Sequence, residues 1–371
     1  MRAAGRLDSA GVLTAPQRRA LRELSACRTP ALGGRIEECS CCGRREYLYN
    51  SCRNRHCPTC QGRQRAAWLE REAGYLLPVE YHHLVFTLPQ TLRPLTREQP
   101  RLIYGLLFES ARQAVQQLAA DPKYLGAQPG LVAVLHTWGQ TLSLHPHVHV
   151  LATGGGLSCD RRGRLDERPV WRSSRPGFFL PVRVLGRLFR GKFIAALQQA
   201  QERGKVVLTE QWWRELYGQQ WVVYSQPPCA GPAVVLKYLA RYVHRVAISN
   251  GRLVRLGEEA VTFRYKDYRR SGREKEMTLP IEEFARRFLQ HVLPCGFVRI
   301  RHYGLLANRG RRAKLAECRR LLAAAERNEP LPAAEEEGPR RCPACIAGVM
   351  EVVAALPRLP GGGATTREDS S

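Results

Sequence analysis

The run His145-Pro146-His147-Val148-His149-Val150 holds two imidazoles two residues apart. In a β-strand alternate side chains share a face, so His147 and His149 would point the same way, with Cα atoms roughly 6.5–7 Å apart. Imidazole is the commonest protein ligand for divalent metals, and this spacing lets both rings converge on one cation. The plainer use of such a pair is hydrogen bonding to each other or to water. Val148, Val150 and Leu151 are apolar, as suits a strand buried on its other face.

A second pattern lies between Lys237 and Arg245. Val235, Leu239 and Val243 repeat at i, i+4 and i+8, the apolar stripe of an amphipathic helix that Pro232 can open. Tyr238 and Tyr242 share another face, and Lys237, Arg241 and Arg245 form a third stripe with the same spacing. Two phenols beside a row of cations can present nucleophiles to a phosphate backbone. The plainer alternative packs both rings on the core. With Mg2+ or Mn2+ polarising a scissile phosphate, a phenolate attacking in line would leave a 3′-OH and a 5′-phosphotyrosine. That ester keeps the energy of the broken bond, so a 3′-OH could later reseal it. A second tyrosine would allow two consecutive transfers.

The third pattern is sulfur. The chain has 13 cysteines, seven of them between Cys27 and Cys60. Two C-x2-C knuckles, Cys39/Cys42 and Cys57/Cys60, can supply one tetrahedral Zn2+ site. Cys52 and His56 are further ligand candidates, either replacing a knuckle member or starting a second site with Cys27. A module with so few apolar residues would need the metal as its core. Arg53 and Arg55, among the knuckles, suit phosphate contacts. Cys342-Pro343-Ala344-Cys345 is a lone knuckle, half a site that needs ligands from elsewhere.

The elements that must position these residues follow from periodicity. Helices are expected over 16–24, 68–78, 98–120, 183–203 and 281–291. Strands are expected over 82–88, 131–138, 146–152, 221–224 and 261–268, with 131–138 and 146–152 as neighbours in an antiparallel sheet. Gly154-Gly155-Gly156 reads as a turn without the context of a phosphate loop, and Ser249-Asn250-Gly251 as a hairpin turn. Between Arg299 and Arg320 eight Lys or Arg residues, including Arg301, Arg309, Arg311 and Arg312, stand against Glu317 alone. Interleaved with His302 and Tyr303, they suit single-stranded nucleic acid; a solvated basic helix is the alternative.

The 371 residues carry a formal charge of +25, which predicts a polyanionic partner, nucleic acid before a membrane surface. No run approaches the ~18 apolar residues that span a bilayer, and Met1 to Leu24 lacks an apolar signal region. A cytoplasmic, nucleoid-associated protein is therefore expected, its cysteines binding metal rather than forming disulfides. The boundaries read as a zinc-binding, DNA-recognising module over 1–75 and a catalytic domain with a basic C-terminal part over 76–325. A linker, the lone knuckle and a disordered tail follow over 326–371.

Together these stretches resemble the rolling-circle transposases of bacterial insertion sequences, the two-tyrosine HUH class with an N-terminal zinc-binding domain. The resemblance is carried by Ser51–Cys60 with Gln61-Gly62, Val85–Pro89 with Leu92–Leu95, and His136-Thr137-Trp138-Gly139-Gln140 through His149. It continues through Tyr238–Arg245 with Ala247–Asn250, and Arg301–Arg309, in consistent order along the chain. It implies an α+β fold, an HUH-endonuclease-like antiparallel sheet with packed helices behind a small zinc module. His147 and His149 are implied as divalent-metal ligands and Tyr238 and Tyr242 as nucleophiles. Cys39, Cys42, Cys52, His56, Cys57 and Cys60 map onto the zinc motif. HUH sites usually take a third ligand, for which Gln140 is the first choice, ahead of His145 and His244. The implied partner is DNA, chiefly single-stranded element ends and hairpins. A replication initiator or relaxase would share the chemistry; a non-catalytic zinc regulator would form no tyrosine adduct.

Overall fold

The computed structural model describes residues 13–229, 234–235, 246–268, 272–323 and 339–359, the side chains of 61–65 and 227–229 aside. Tyr238 and Tyr242, with Lys237, Arg241, His244 and Arg245, lie outside the described residues. In chain order the elements begin with α1 Ala15–Ala26, β1 Gly34–Cys39, β2 Arg45–Tyr49, α2 Gln61–Ala73 and β3 Tyr81–Thr87. Then come α3 Arg93–Glu98, α4 Pro100–Ala120, β4 Ala127–Trp138, β5 Leu144–Ser158, β6 Trp171–Ser173, α5 Val182–Glu202 and α6 Glu210–Gly218. The last are β7 Val223–Cys229, β8 Leu253–Leu256, β9 Ala260–Asp267, β10 Arg273–Pro280, α7 Ile281–Leu289, β11 Ile300–Gly304, α8 Arg311–Ala323 and β12 Met350–Leu356. The fold is α+β, and every strand pairing among the described residues is antiparallel.

The chain divides into two compact units, Met1–Ala66 with Val246–Val292 and Pro332–Ser371, and Ala67–Arg245 with Leu293–Leu331. A division at 75 and 325 does not anticipate the return of 246–292 to the N-terminal unit. That unit holds two three-stranded sheets, β12-β1-β2 and β10-β9-β8. α1 starts at a capping box in which the Thr14 N–H donates to Gln17 Oε1 at 2.9 Å, with Pro16 in its first turn.

The other unit is organised by a six-stranded sheet of order β11-β4-β5-β3-β7, with β6 pairing β5. Period-two alternation sorts its side chains into two cores. Leu84 and Phe86 of β3, Leu131, Ala133 and Leu135 of β4, and Val148 and Val150 of β5 pack with α4 and α5. α4 contributes Ile103, Leu107, Ala111 and Leu118, and α5 Leu185, Phe189, Phe193 and Leu197, one buried stripe each. The alternate residues Val132, Val134 and Leu151 pack with Trp68, Leu77, Leu305, Leu306 and Leu315. Burial of each large apolar side chain contributes about 1.5–3 kcal/mol, so the sheet needs no ion to hold it. No helix among the described residues is long and apolar enough to cross a membrane.

Three local expectations differ. Gly154–Gly156 form no turn but run within β5, where a Cβ on Gly156 would meet the Gln128 carbonyl oxygen at 2.2 Å. Glycine there permits close approach of two strands. Ser249-Asn250-Gly251 opens a 3-10 turn rather than a hairpin; β8 turns back into β9 through Gly257, whose N–H donates to the Ala260 carbonyl at 2.9 Å. The helix expected over 68–78 spans Gln61–Ala73 and stops before Gly74.

Candidate active site and metal centres

β4 and β5 form a hairpin whose register sets His136 opposite His147 and Val134 opposite His149. Because side chains alternate, His136, His147 and His149 project from the sheet face away from α4 and α5. Their nearest ligand nitrogens all lie within 4.8 Å of one another. Ring centroids are 4.4 Å apart for His136 and His149, 4.9 Å for His147 and His149, and 5.5 Å for His136 and His147. His136 is buried and stacks on Trp138 at 4.7 Å. Gln140 stands in the turn beyond the last paired residue of β4. His136 is the member of this group that sequence reasoning did not name as a candidate ligand. The signal was present: a strand over 131–138 paired with 146–152 sets a residue near its end beside the two histidines.

Behind this group runs a chain of ring hydrogen bonds. His147 Nδ1–H donates to the His145 carbonyl at 2.6 Å. His83, on β3, donates Nδ1–H to Gln226 Oε1 at 3.0 Å and so turns Nε2, an acceptor, towards His149 Nδ1–H at 2.8 Å. Burial pushes the His83 pKa down to about 4, and the Gln226 hydrogen bond only partly offsets this, so the ring is neutral. Each of His147 and His149 is thus fixed in ring orientation through its Nδ1.

The predicted cysteine ligands do not come together as one site. Cys57 and Cys60 meet Cys27 and Cys52, whereas Cys39 and Cys42 meet Cys342 and Cys345, each set with all sulfurs within 4.8 Å. In the first group Cys27 and Cys57 Sγ are 3.5 Å apart and Cys52 and Cys60 Sγ 3.8 Å. A tetrahedron of ~2.3 Å Zn–S bonds has edges of about 3.8 Å, so a zinc ion fits. His56 is not a member of either group; its backbone N–H donates to Asn54 Oδ1 at 2.8 Å, within a loop that Asn54 ties to Glu23 at 2.7 Å. Arg53, exposed, holds a left-handed φ of 53° in that loop, and Arg55 is half-buried.

The basic stretch divides by strand parity. Arg301 of β11 pairs with Ala133, so it lies on the helix-packed face, its guanidinium 4.2 Å over the Phe108 ring and 5.2 Å from Phe297. It points away from the histidines. Arg309 and Arg312 are exposed, and Arg311 at the start of α8 stacks 3.8 Å over Tyr75.

A family model described as "Putative transposase" matches residues 130–314, which include the histidine hairpin. One described as "Transposase zinc-binding domain" matches residues 3–88. The chain is 45% identical to "Putative transposase y4qJ" of Sinorhizobium fredii, over 94% of this chain and 92% of that one. It is 30% identical to "Transposase for insertion sequence element IS801" of Pseudomonas savastanoi pv. phaseolicola, over 77% of this chain and 69% of the other. The chain belongs to the IS91-type family of insertion-sequence transposases. No solved structure matches it. Two features of this transposase follow from its family and cysteine groups together: it acts on DNA, and it carries structural zinc.

Proposed function

We propose that this transposase nicks and rejoins single-stranded DNA at element ends through a 5′-phosphotyrosine intermediate. The observation that supports it best is the convergence of His136, His147 and His149 on one sheet face, with His83 and Gln226 ordering the rings from behind. His147 and His149 would each offer Nε2 to a Mg2+ or Mn2+ ion, with His136 in place of Gln140 as third ligand. Bound there, the ion supplies charge neutralisation at the scissile phosphate. Tyr238 or Tyr242 attacks phosphorus through its phenolate oxygen; the new bond is O–P to the 5′ side, the bond to the 3′ oxygen breaks, and that oxygen leaves as a hydroxyl after taking a proton. Lys237, Arg241 and Arg245 follow the backbone of the strand, and Arg309, Arg311 and Arg312 extend the basic surface. Arg53 and Arg55 contribute phosphate contacts from the zinc module. The reading of 1–75 as recognition module and 76–325 as catalytic domain belongs to this proposal.

The test uses the full chain with a labelled single-stranded oligonucleotide spanning an element end. A covalent complex resistant to denaturant is expected from the wild type and none from Tyr238→Phe/Tyr242→Phe. Tyr→Phe removes one oxygen and leaves the ring, so DNA binding and folding persist. Normal cleavage by the double variant would replace tyrosine with water as nucleophile.

A further inference from the structure

Cys342 and Cys345 lie some three hundred residues from the zinc module in sequence, yet their sulfurs complete a group with Cys39 and Cys42. We propose that these four cysteines bind a second structural zinc ion, which clips the C-terminal segment onto the N-terminal module.

Three observations carry this. Cys39 and Cys345 Sγ are 3.6 Å apart and Cys42 and Cys342 Sγ 3.8 Å, the edge length of a zinc tetrathiolate tetrahedron, about 3.8 Å, and far beyond a disulfide bond of ~2.05 Å. The two knuckles also have the same build. Gly43 N–H donates to the Cys39 carbonyl at 3.1 Å and Ile346 N–H to the Cys342 carbonyl at 3.0 Å, both residues at positive φ, 68° and 63°. The N–H groups of Cys41 and Cys42 point at Cys39 Sγ, that of Ala344 at Cys342 Sγ and that of Gly348 at Cys345 Sγ, all at 3.4 Å. Such N–H groups stabilise thiolates, which are the form that binds metal. Finally, backbone packs tightly against the buried side of the cluster, at Cys39 and Cys342, while Cys42 is exposed: a Cβ on Gly348 would sit 2.3 Å from Cys39 Sγ.

The surroundings support a clip. β12 continues the sheet beside β1, from Gly34↔Leu356 to Cys39↔Met350. Arg340, just before the second knuckle, bonds Glu37 Oε2 at 2.7 Å and Glu46 Oε2 at 2.5 Å. Among the described residues the apolar cluster here is Cys39, Cys342 and Met350, with Cys345 against it. So small a core needs the ion. On binding, four thiols release four protons and one Zn2+ is taken up, with no change of oxidation state.

Metal analysis of the full chain, purified with reductant, tests the proposal. Two zinc ions per chain are expected in the wild type, and one in Cys342→Ser/Cys345→Ser. Gly348→Ala, which keeps all four thiols, is also expected to lose one zinc, and Cys41→Ser, at the neighbouring exposed thiol, to keep both. Zinc-edge X-ray absorption should show sulfur alone around zinc in the wild type and in the double serine variant, which also reports that the remaining site has folded. One zinc per chain in the wild type, or two in the double serine variant, would overturn the second site. Two disulfides found by intact mass without reductant would do the same.

Discussion

The cysteine groups and the histidine group are both candidate metal sites, but different forces hold them. The histidines stand on strands whose backs are buried against α4 and α5, and their rings are oriented by His83, Gln226 and the His145 carbonyl. Strand register and side-chain hydrogen bonds set that geometry. The cysteines of the other unit are ordered by loops, two short strands and a very small apolar cluster. There the ion is structural. On the function proposed above, a site held by the sheet would suit repeated release and rebinding of a strand, whereas the small cysteine-rich unit gains its stability from metal.

The strongest way to break the contrast is to remove zinc. A high-affinity chelator should unfold the sheet of β1, β2 and β12, because structural zinc in small modules is worth on the order of 10–16 kcal/mol. Hydrogen exchange should show lost protection there and unchanged protection in β4 and β5. Equal loss in both units would erase the distinction. Next in size, Phe86→Ala should destabilise the six-stranded sheet by about 3–5 kcal/mol, read by denaturant unfolding, with no dependence on zinc. His83→Ala should leave that fold intact and weaken Mn2+ binding roughly 10–100-fold by calorimetry, since it removes the partner that orients His149. The smallest effect separates surface cations from packed ones. Arg309→Ala/Arg312→Ala should lower the slope of log K against log salt for single-stranded DNA by about 0.7 per lost contact, and Arg301→Ala should leave the slope unchanged.

Much of the histidine site was legible because β periodicity is short and local. His147 and His149 had to share a face once residues 146–152 formed a strand. The third member needed register: only the pairing of His136 with His147 shows that a residue of the preceding strand joins them. Gln140 was the expected partner, and it stands past the paired end of β4. The cysteine spacing foretold zinc but not which knuckles meet, since C-x2-C pairs are equivalent in sequence and partner choice is tertiary. Cys57/Cys60 and Cys39/Cys42 are close in the chain, yet the strand pairing of β12 with β1 hands the second knuckle to Cys342 and Cys345. Arg301 illustrates a similar limit: its charge was readable, but one step of strand parity turns it onto Phe108.

The central claim is that zinc builds one unit while a different, exchangeable cation at the histidines drives strand transfer. It is tested most directly by measuring covalent DNA adduct against added Mn2+ or Mg2+, using zinc-loaded protein freed of exchangeable divalent ions. The account predicts no adduct without the added ion, a saturable rise with it, and little adduct from His147→Ala/His149→Ala at unchanged zinc content and DNA binding. Full adduct formation without added ion, or by the double alanine variant, would contradict it.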